Sequence, residues 1–188
     1  QDITGQADGL GLRLVVRGSS PGDWARHADL EASLDGGRIT VQGAAQRPLA
    51  EIGVQQAFIG AAAGEPIHGR MLGTIDDQPL RVDLATGSFA DLARDASRLP
   101  FSMTARASGS RLSLDGEVAL PLGSGGQLVF DFGGERLDTL SALARVELPA
   151  WGPWSLRGPI RMTPGGYVLQ DLSARVGQSR LGGSGELD

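Results

Sequence analysis

Apolar residues at every second position run through most of this chain, and that spacing restricts it to strands. Leu10, Leu12, Leu14 and Val16 are spaced this way around Gly11, Arg13 and Val15. Leu30, Ala32 and Leu34 follow, then Ile39 and Val41. Leu80, Val82 and Leu84 frame Arg81 and Asp83, and later come Leu112, Leu114, Val118 and Leu120, then Leu128, Phe130 and Phe132. A strand turns successive side chains to opposite faces, so each run carries one apolar face. Runs of this length between Gly, Pro, Ser and Asp indicate half-buried antiparallel strands. On this criterion the chain forms about ten to twelve strands.

Turn chemistry and parity set the expected pairing. Asp35-Gly36-Gly37 reads as a hairpin turn, because Gly accepts positive φ. Asp76-Asp77 in TIDDQPL reads as another. Phe101, Met103, Ala105 and Ala107 are odd-numbered, whereas Leu112 and Leu114 are even. Their apolar residues share a face only if the loop between the strands has an even number of residues, as a Ser108-Gly109 turn has. The connection Pro121–Gln127 preserves parity into Leu128, so the three strands agree on one apolar face. From Tyr167 and Leu169 to Leu172, Ala174 and Val176 the parity switches, which places a bulge near Gln170-Asp171.

Short segments break the strand pattern. Phe89–Arg94, with Ser88 as a cap, and Leu137–Arg145 read as helices of about two turns, too short to stand alone and expected to lie against the sheet. Ala50–Ala63 is ambiguous, being Ala-rich and compatible with helix. The two helices belong to a weak repeat. Phe89-x-x-Leu92 matches Leu137-x-x-Leu140 at an offset of 48, and Leu99-Pro100 matches Leu148-Pro149 at 49. A period near that length suggests stacked units sharing an apolar surface. We divide the single segment 1–188 into repeat-like units at about 87–133 and 134–188. Each helix carries the chain across the sheet edge, and Pro ends it so that the next strands begin.

Composition excludes several classes of function. The net charge is −5, and all seventeen cations are Arg, scattered without a basic run. A nucleic-acid partner is therefore not expected. The absence of Cys excludes a disulfide framework and a thiolate metal site. No segment approaches the apolar length of a membrane helix. Gln1–Leu10 lacks the basic and apolar regions of a signal peptide, and a chain opening on Gln1 reads as a processed or excised piece. His27 and His68 lie far apart, and Asp23 and Asp29 around His27 fit no metal motif. The clusters at Gly123–Gly126 and Gly182–Gly185 lack the Lys-Ser/Thr ending of a phosphate loop. No Gly-x-Ser-x-Gly elbow is present, so no catalytic residue, metal or cofactor is assigned. Trp151, Trp154 and Tyr167 are expected to cover the junction of helix and sheet, with an interaction surface or a membrane interface as the other reading.

The order and spacing of several blocks resemble the AsmA family, in the wider group that includes TamB. They are Asp76–Leu92 (DDQPLRVDLATGSFADL), Arg111–Leu122 (RLSLDGEVALPL), Gly134–Ile160 (GERLDTLSALARVELPAWGPWSLRGPI) and Tyr167–Asp188 (YVLQDLSARVGQSRLGGSGELD). Within them, Leu148-Pro149, Gly152-Pro153-Trp154 and Gly177–Gly182 follow the family's sequence of elements. Residues 1–63 fit loosely. The resemblance implies a curled antiparallel sheet forming an open apolar groove. It implies a periplasmic body tethered to the inner membrane of a Gram-negative cell by an anchor outside this chain. It also implies phospholipid or other acyl lipids as cargo, moved between inner and outer membranes in outer-membrane biogenesis.

On that reading Leu112, Leu114, Val118, Leu128, Phe130, Phe132, Leu156 and Ile160 line the groove. Two other readings of the apolar face stand beside it. One is a periplasmic scaffold or chaperone-like module offering the face to outer-membrane proteins. The other is a closed sandwich filled by its own side chains.

Overall fold

The computed structural model of the chain describes residues 2–17, 27–42, 48–93, 98–120, 125–163 and 166–187. Those residues form one open antiparallel sheet of eleven strands, in which each strand pairs with its sequence neighbours. The strands are β1 Asp2–Val16, β2 Ala28–Gln42, β3 Pro48–Ala61, β4 Pro66–Ile75, β5 Gln78–Ser88, β6 Arg98–Ala107, β7 Ser110–Ala119, β8 Gly126–Gly134, β9 Trp154–Thr163, β10 Gly166–Val176 and β11 Ser179–Leu187. Helix α1, Phe89–Ala93, lies between β5 and β6. A 3-10 turn, Leu137–Leu140, runs into helix α2, Ser141–Ala144, between β8 and β9. Each helical segment thus precedes three strands.

Two-residue turns set much of the register. Asp76 and Asp77 have φ of 45° and 63°, and Ser108 and Gly109 have φ of 49° and 72°. Positive φ at both central residues matches the right-handed twist of the flanking strands. The Asp76 turn is also tied sideways to β3. Its N–H donates to the Glu51 carbonyl at 2.9 Å, and its carboxylate accepts from the Glu51 N–H at 3.0 Å. The expected bulge is present, with the register slipping between Leu169 and Leu172 and Asp171 at φ 47°.

One expectation is corrected, and two readings left open are decided. Asp35-Gly36-Gly37 is no hairpin turn: it sits inside β2, where Gly9 pairs with Asp35 and Ala7 with Gly37. Gly36, at φ 75°, lies within that pairing, whose register is unbroken on both sides of it. The same positive φ serves a turn or a position inside a strand, and here the long partner strand β1 keeps the chain extended. The Ala-rich segment is strand β3 and not a helix, because it is paired along both sides, to β2 and to β4. The closed sandwich is excluded among the described residues by the single sheet. Arg94 and residues 121–124, which carry the end of the first expected helix and part of the Pro121–Gln127 connection, lie outside the described residues.

With one layer, burial depends on the sheet's own curvature. Val54, Leu99, Leu128 and Phe130 are all buried. The helical segments are too short to cover them all, so same-face neighbours across the sheet supply the remaining contacts. Sheet twist and coiling bring such neighbours together. A curled groove, open along one side, accounts for that burial.

α1 is held by its cap. The Ser88 hydroxyl accepts from the Asp91 N–H at 3.3 Å, while the Ser88 N–H and hydroxyl donate to the Asp91 carboxylate at 2.9 and 2.8 Å. This reciprocal arrangement satisfies backbone groups that the first helical turn leaves open.

Candidate groove face

The register aligns one apolar residue from every strand into a row across the whole sheet. In order it is Leu10, Leu34, Ala57, Met71, Val82, Ala105, Leu112, Phe132, Leu156, Ala174 and Leu181. Next to it runs Leu12, Ala32, Ile59, Gly69, Leu84, Met103, Leu114, Phe130 and Gly158. A third row includes Thr86, Phe101, Gly116, Leu128, Ile160 and Leu169. The bulges in β3 and β10 restore parity where the pattern would otherwise slip, so the face stays apolar from edge to edge.

The opposite face is polar in the same registers. One row reads Ser33, Phe58, Arg70, Asp83, Thr104, Ser113, Asp131, Arg157 and Ser173. Its centre is Asp83, which accepts hydrogen bonds from Arg81 and Arg70 at 2.8 Å each. Those bonds, Arg81's foremost, hold the Asp83 carboxyl down from 3.8 to about 2. Arg106 stands 3.9 Å from the same carboxylate. On this outer face Arg38, Arg70, Arg81, Arg98 and Arg106 thus make solvated ion pairs with Glu51, Asp83 and Glu117.

All eight residues proposed from the sequence as groove-lining stand on the apolar face. Leu112 pairs with Phe132 and Phe132 with Leu156; Leu114 pairs with Phe130, Leu128 with Ile160, and Val118 with Gly126. Sequence reasoning missed the β2–β5 half of the face. There an apolar depression of about 260 Å³ is bordered by Leu10, Leu34, Ala57, Met71, Val82 and Leu84. The signal was present in the parity of Met71 and Val82, but the misplaced turn at Gly36 hid their alignment with Leu34. Trp154 packs edge-on against Phe132, with ring centres 4.8 Å apart and planes at 87°. Trp154 is buried, as expected at a junction of helix and sheet, whereas Trp151 and Tyr167 are exposed.

The residues weighed for catalysis and metal binding are dispersed. Asp76 is engaged in its turn and stands 3.7 Å from Arg145. His68 lies on the outer face beside Gly60 and Ala85. Asp23 and Gly123-Ser124 lie outside the described residues. Among the described residues no three His, Asp or Glu side chains are grouped to hold a metal ion, and no helix is long and apolar enough to cross a membrane. Set against protein-family models, curated proteins and solved structures, the chain matches none.

Proposed function

We propose that this chain is a lipid-binding groove segment of an AsmA-like protein. Acyl chains of phospholipids lie along its apolar face. The whole protein, tethered to the inner membrane, serves phospholipid transport to the outer membrane and outer-membrane biogenesis from the periplasm. The observation that supports this most is the uninterrupted apolar row across eleven strands, on a face over which, among the described residues, no second sheet is packed. Eleven strands side by side make a sheet about 50 Å wide. The hydrocarbon of one leaflet is about 15 Å thick, so several acyl chains fit. Each methylene removed from water contributes about 0.8 kcal/mol, so binding needs few polar contacts.

Parity tests the reading. A photo-crosslinking residue at position 114 or 130 captures phospholipid in cells, and one at 113 or 131 does not. Organic extracts of the purified chain contain stoichiometric phospholipid by mass spectrometry. Equal crosslinking from both faces, or extracts free of lipid, defeats the groove.

The scaffold reading draws on a different observation. β1 is an edge strand of fifteen residues whose Leu10, Leu12 and Leu14 are exposed. A free edge of this kind pairs with extended chains. Binding of unfolded outer-membrane proteins, with lipid absent from the extract, selects that reading.

A further inference from the structure

The apolar face has one polar corner. Among the described residues three buried side-chain atoms lack a hydrogen-bond partner: Ser108 Oγ, Ser110 Oγ and Trp154 Nε1. Ser110 in β7, Gly134 in β8 and Trp154 in β9 are direct register neighbours, and Ser108 is in the adjoining turn. Ser110 and Trp154 are each more than nine-tenths buried. Gly134 between them has no side chain. A Cβ there would stand 2.9 Å from Ser110 Oγ and 3.1 Å from both Trp154 Nε1 and the Gly109 carbonyl oxygen. Two groups able to donate and one carbonyl acceptor therefore flank one notch. An indole N–H is a donor only and a carbonyl oxygen an acceptor only, so the complement is a hydroxyl, which accepts from the first and donates to the second. Elsewhere on this face half-buried Thr86 and buried Ser88 are already bonded, to the Pro100 carbonyl and to Asp91.

The loop 135–153 departs from and returns to the sheet beside this notch. Its base is pinched: the Leu137 N–H donates to the Trp151 carbonyl at 2.8 Å, and Gly152 stands against the Glu135 carbonyl where no side chain fits. From there it passes over the β6–β7 turn, with Thr139 against Gly109, and reaches the β4–β5 turn, where Arg145 meets Asp76 at 3.7 Å. Neither helical turn in the loop has a buried residue. A narrow hinge, an unburied body and a solvent-exposed tip contact are the features of a segment that opens locally at low cost.

We propose that the notch over Gly134 is a subsite for a hydroxyl at the polar end of an acyl lipid, reached when loop 135–153 swings off the sheet end. This rests on the groove reading and adds polarity to it: the lipid lies with its oxygen-bearing end at the turns of β6–β7 and β8–β9 and its tail along the apolar rows.

Two fluorescent probes test it, a pyrene-labelled lysophosphatidylglycerol and the matching pyrene-labelled alkane without oxygen. Ser110→Ala weakens the lysolipid about tenfold, the loss of one hydrogen bond, and leaves the alkane unchanged. Gly134→Ala, which fills the notch, does the same if circular dichroism shows it folded. The double variant Asp76→Cys/Arg145→Cys, bridged by a reducible bis-maleimide linker, loses the lysolipid and regains it when the linker is cleaved. Unchanged lysolipid affinity in Ser110→Ala overturns the subsite, leaving a corner occupied by water alone. Undiminished lysolipid binding in the bridged double variant overturns the opening of the loop. Failure of both probes to bind the wild-type chain overturns the groove itself, an outcome separate from loss of the lysolipid alone.

Discussion

The first strand and the eighth carry the same alternation and meet different fates. On β1, Leu10 and Leu12 leave 76% and 71% of their surface exposed, whereas on β8 Leu128 and Phe130 leave 7% and 8%. All four lie on the apolar face. Among the described residues β1 has a neighbour on one side only, while β8 is flanked by β7 and β9. Leu181, on the other edge strand, is exposed at 71%, like the leucines of β1. Alternation therefore decides which way a side chain points. Position in the sheet decides how much water it loses, and hence how much it stabilises. The centre of the sheet holds the fold, and the edges present the same chemistry to whatever lies alongside.

That contrast is breakable. Phe130→Asp places a carboxylate among buried hydrocarbon with no partner, and should unfold the sheet or cost more than about 3 kcal/mol. Leu12→Asp, already in water, should shift the urea midpoint by less than about 0.5 kcal/mol equivalent. Equal losses would mean that the edge is covered. Leu114→Asp separates function from fold more finely. Leu114 is half-buried on the same face as Phe130, so the folded sheet survives while lipid recovered in the extract falls. Unfolding of this variant would count against an open groove.

Phe132→Ala removes one ring of the edge-on pair with Trp154 and should cost about 2–3 kcal/mol, in the lower range for an aromatic truncation because Phe132 is only half-buried. Urea unfolding followed by tryptophan fluorescence measures it. Ser88→Ala tests the edge of the centre, where α1 is capped, and should cost about 1 kcal/mol. A loss as large as that of Phe132→Ala would make α1 a principal support of the face.

The smallest effect belongs to the outer face. Asp83 has its folded pKa lowered to about 2, chiefly by the Arg81 hydrogen bond and then by Arg70. A carboxyl depressed in the folded state adds stability above its unfolded value. That contribution is lost as pH falls from about 4 towards 2. The ion pairs are solvent-screened, so Asp83→Asn should reduce stability at neutral pH by under about 1 kcal/mol. The difference should vanish near pH 2 in acid titration followed by circular dichroism. A variant gap that persists unchanged at that pH would assign Asp83 a role other than its ion pairs.

Local chemistry made much of this legible. Ser108-Gly109 and Asp76-Asp77 are turns because their short side chains and positive φ suit a two-residue hairpin, and the parity of Met103 and Leu114 follows from the first of them. The break in parity after Leu169 is a bulge for the same reason: an extra residue is the cheapest way to keep Leu172 and Ala174 on the apolar face. Gly36 shows where such reasoning fails. Its freedom suits either a turn or a position inside a strand, and only the pairing with β1, some thirty residues away in sequence, selects the strand. β3 fails differently, since its alanines favour helix locally and two flanking strands override them.

By itself the amino-acid sequence determined that this chain is built of strands with one apolar face, that its charges lie on the other, and that short helices interrupt it at two places. Those are consequences of period and of side-chain chemistry, which act over a few residues. The tertiary structure alone decided that the faces of all eleven strands join into one surface, that Leu128 is buried and Leu10 is not, and that Ser110 and Trp154 meet across Gly134. These depend on partners brought together by the register of separate strands, and no window of neighbouring residues contains that information.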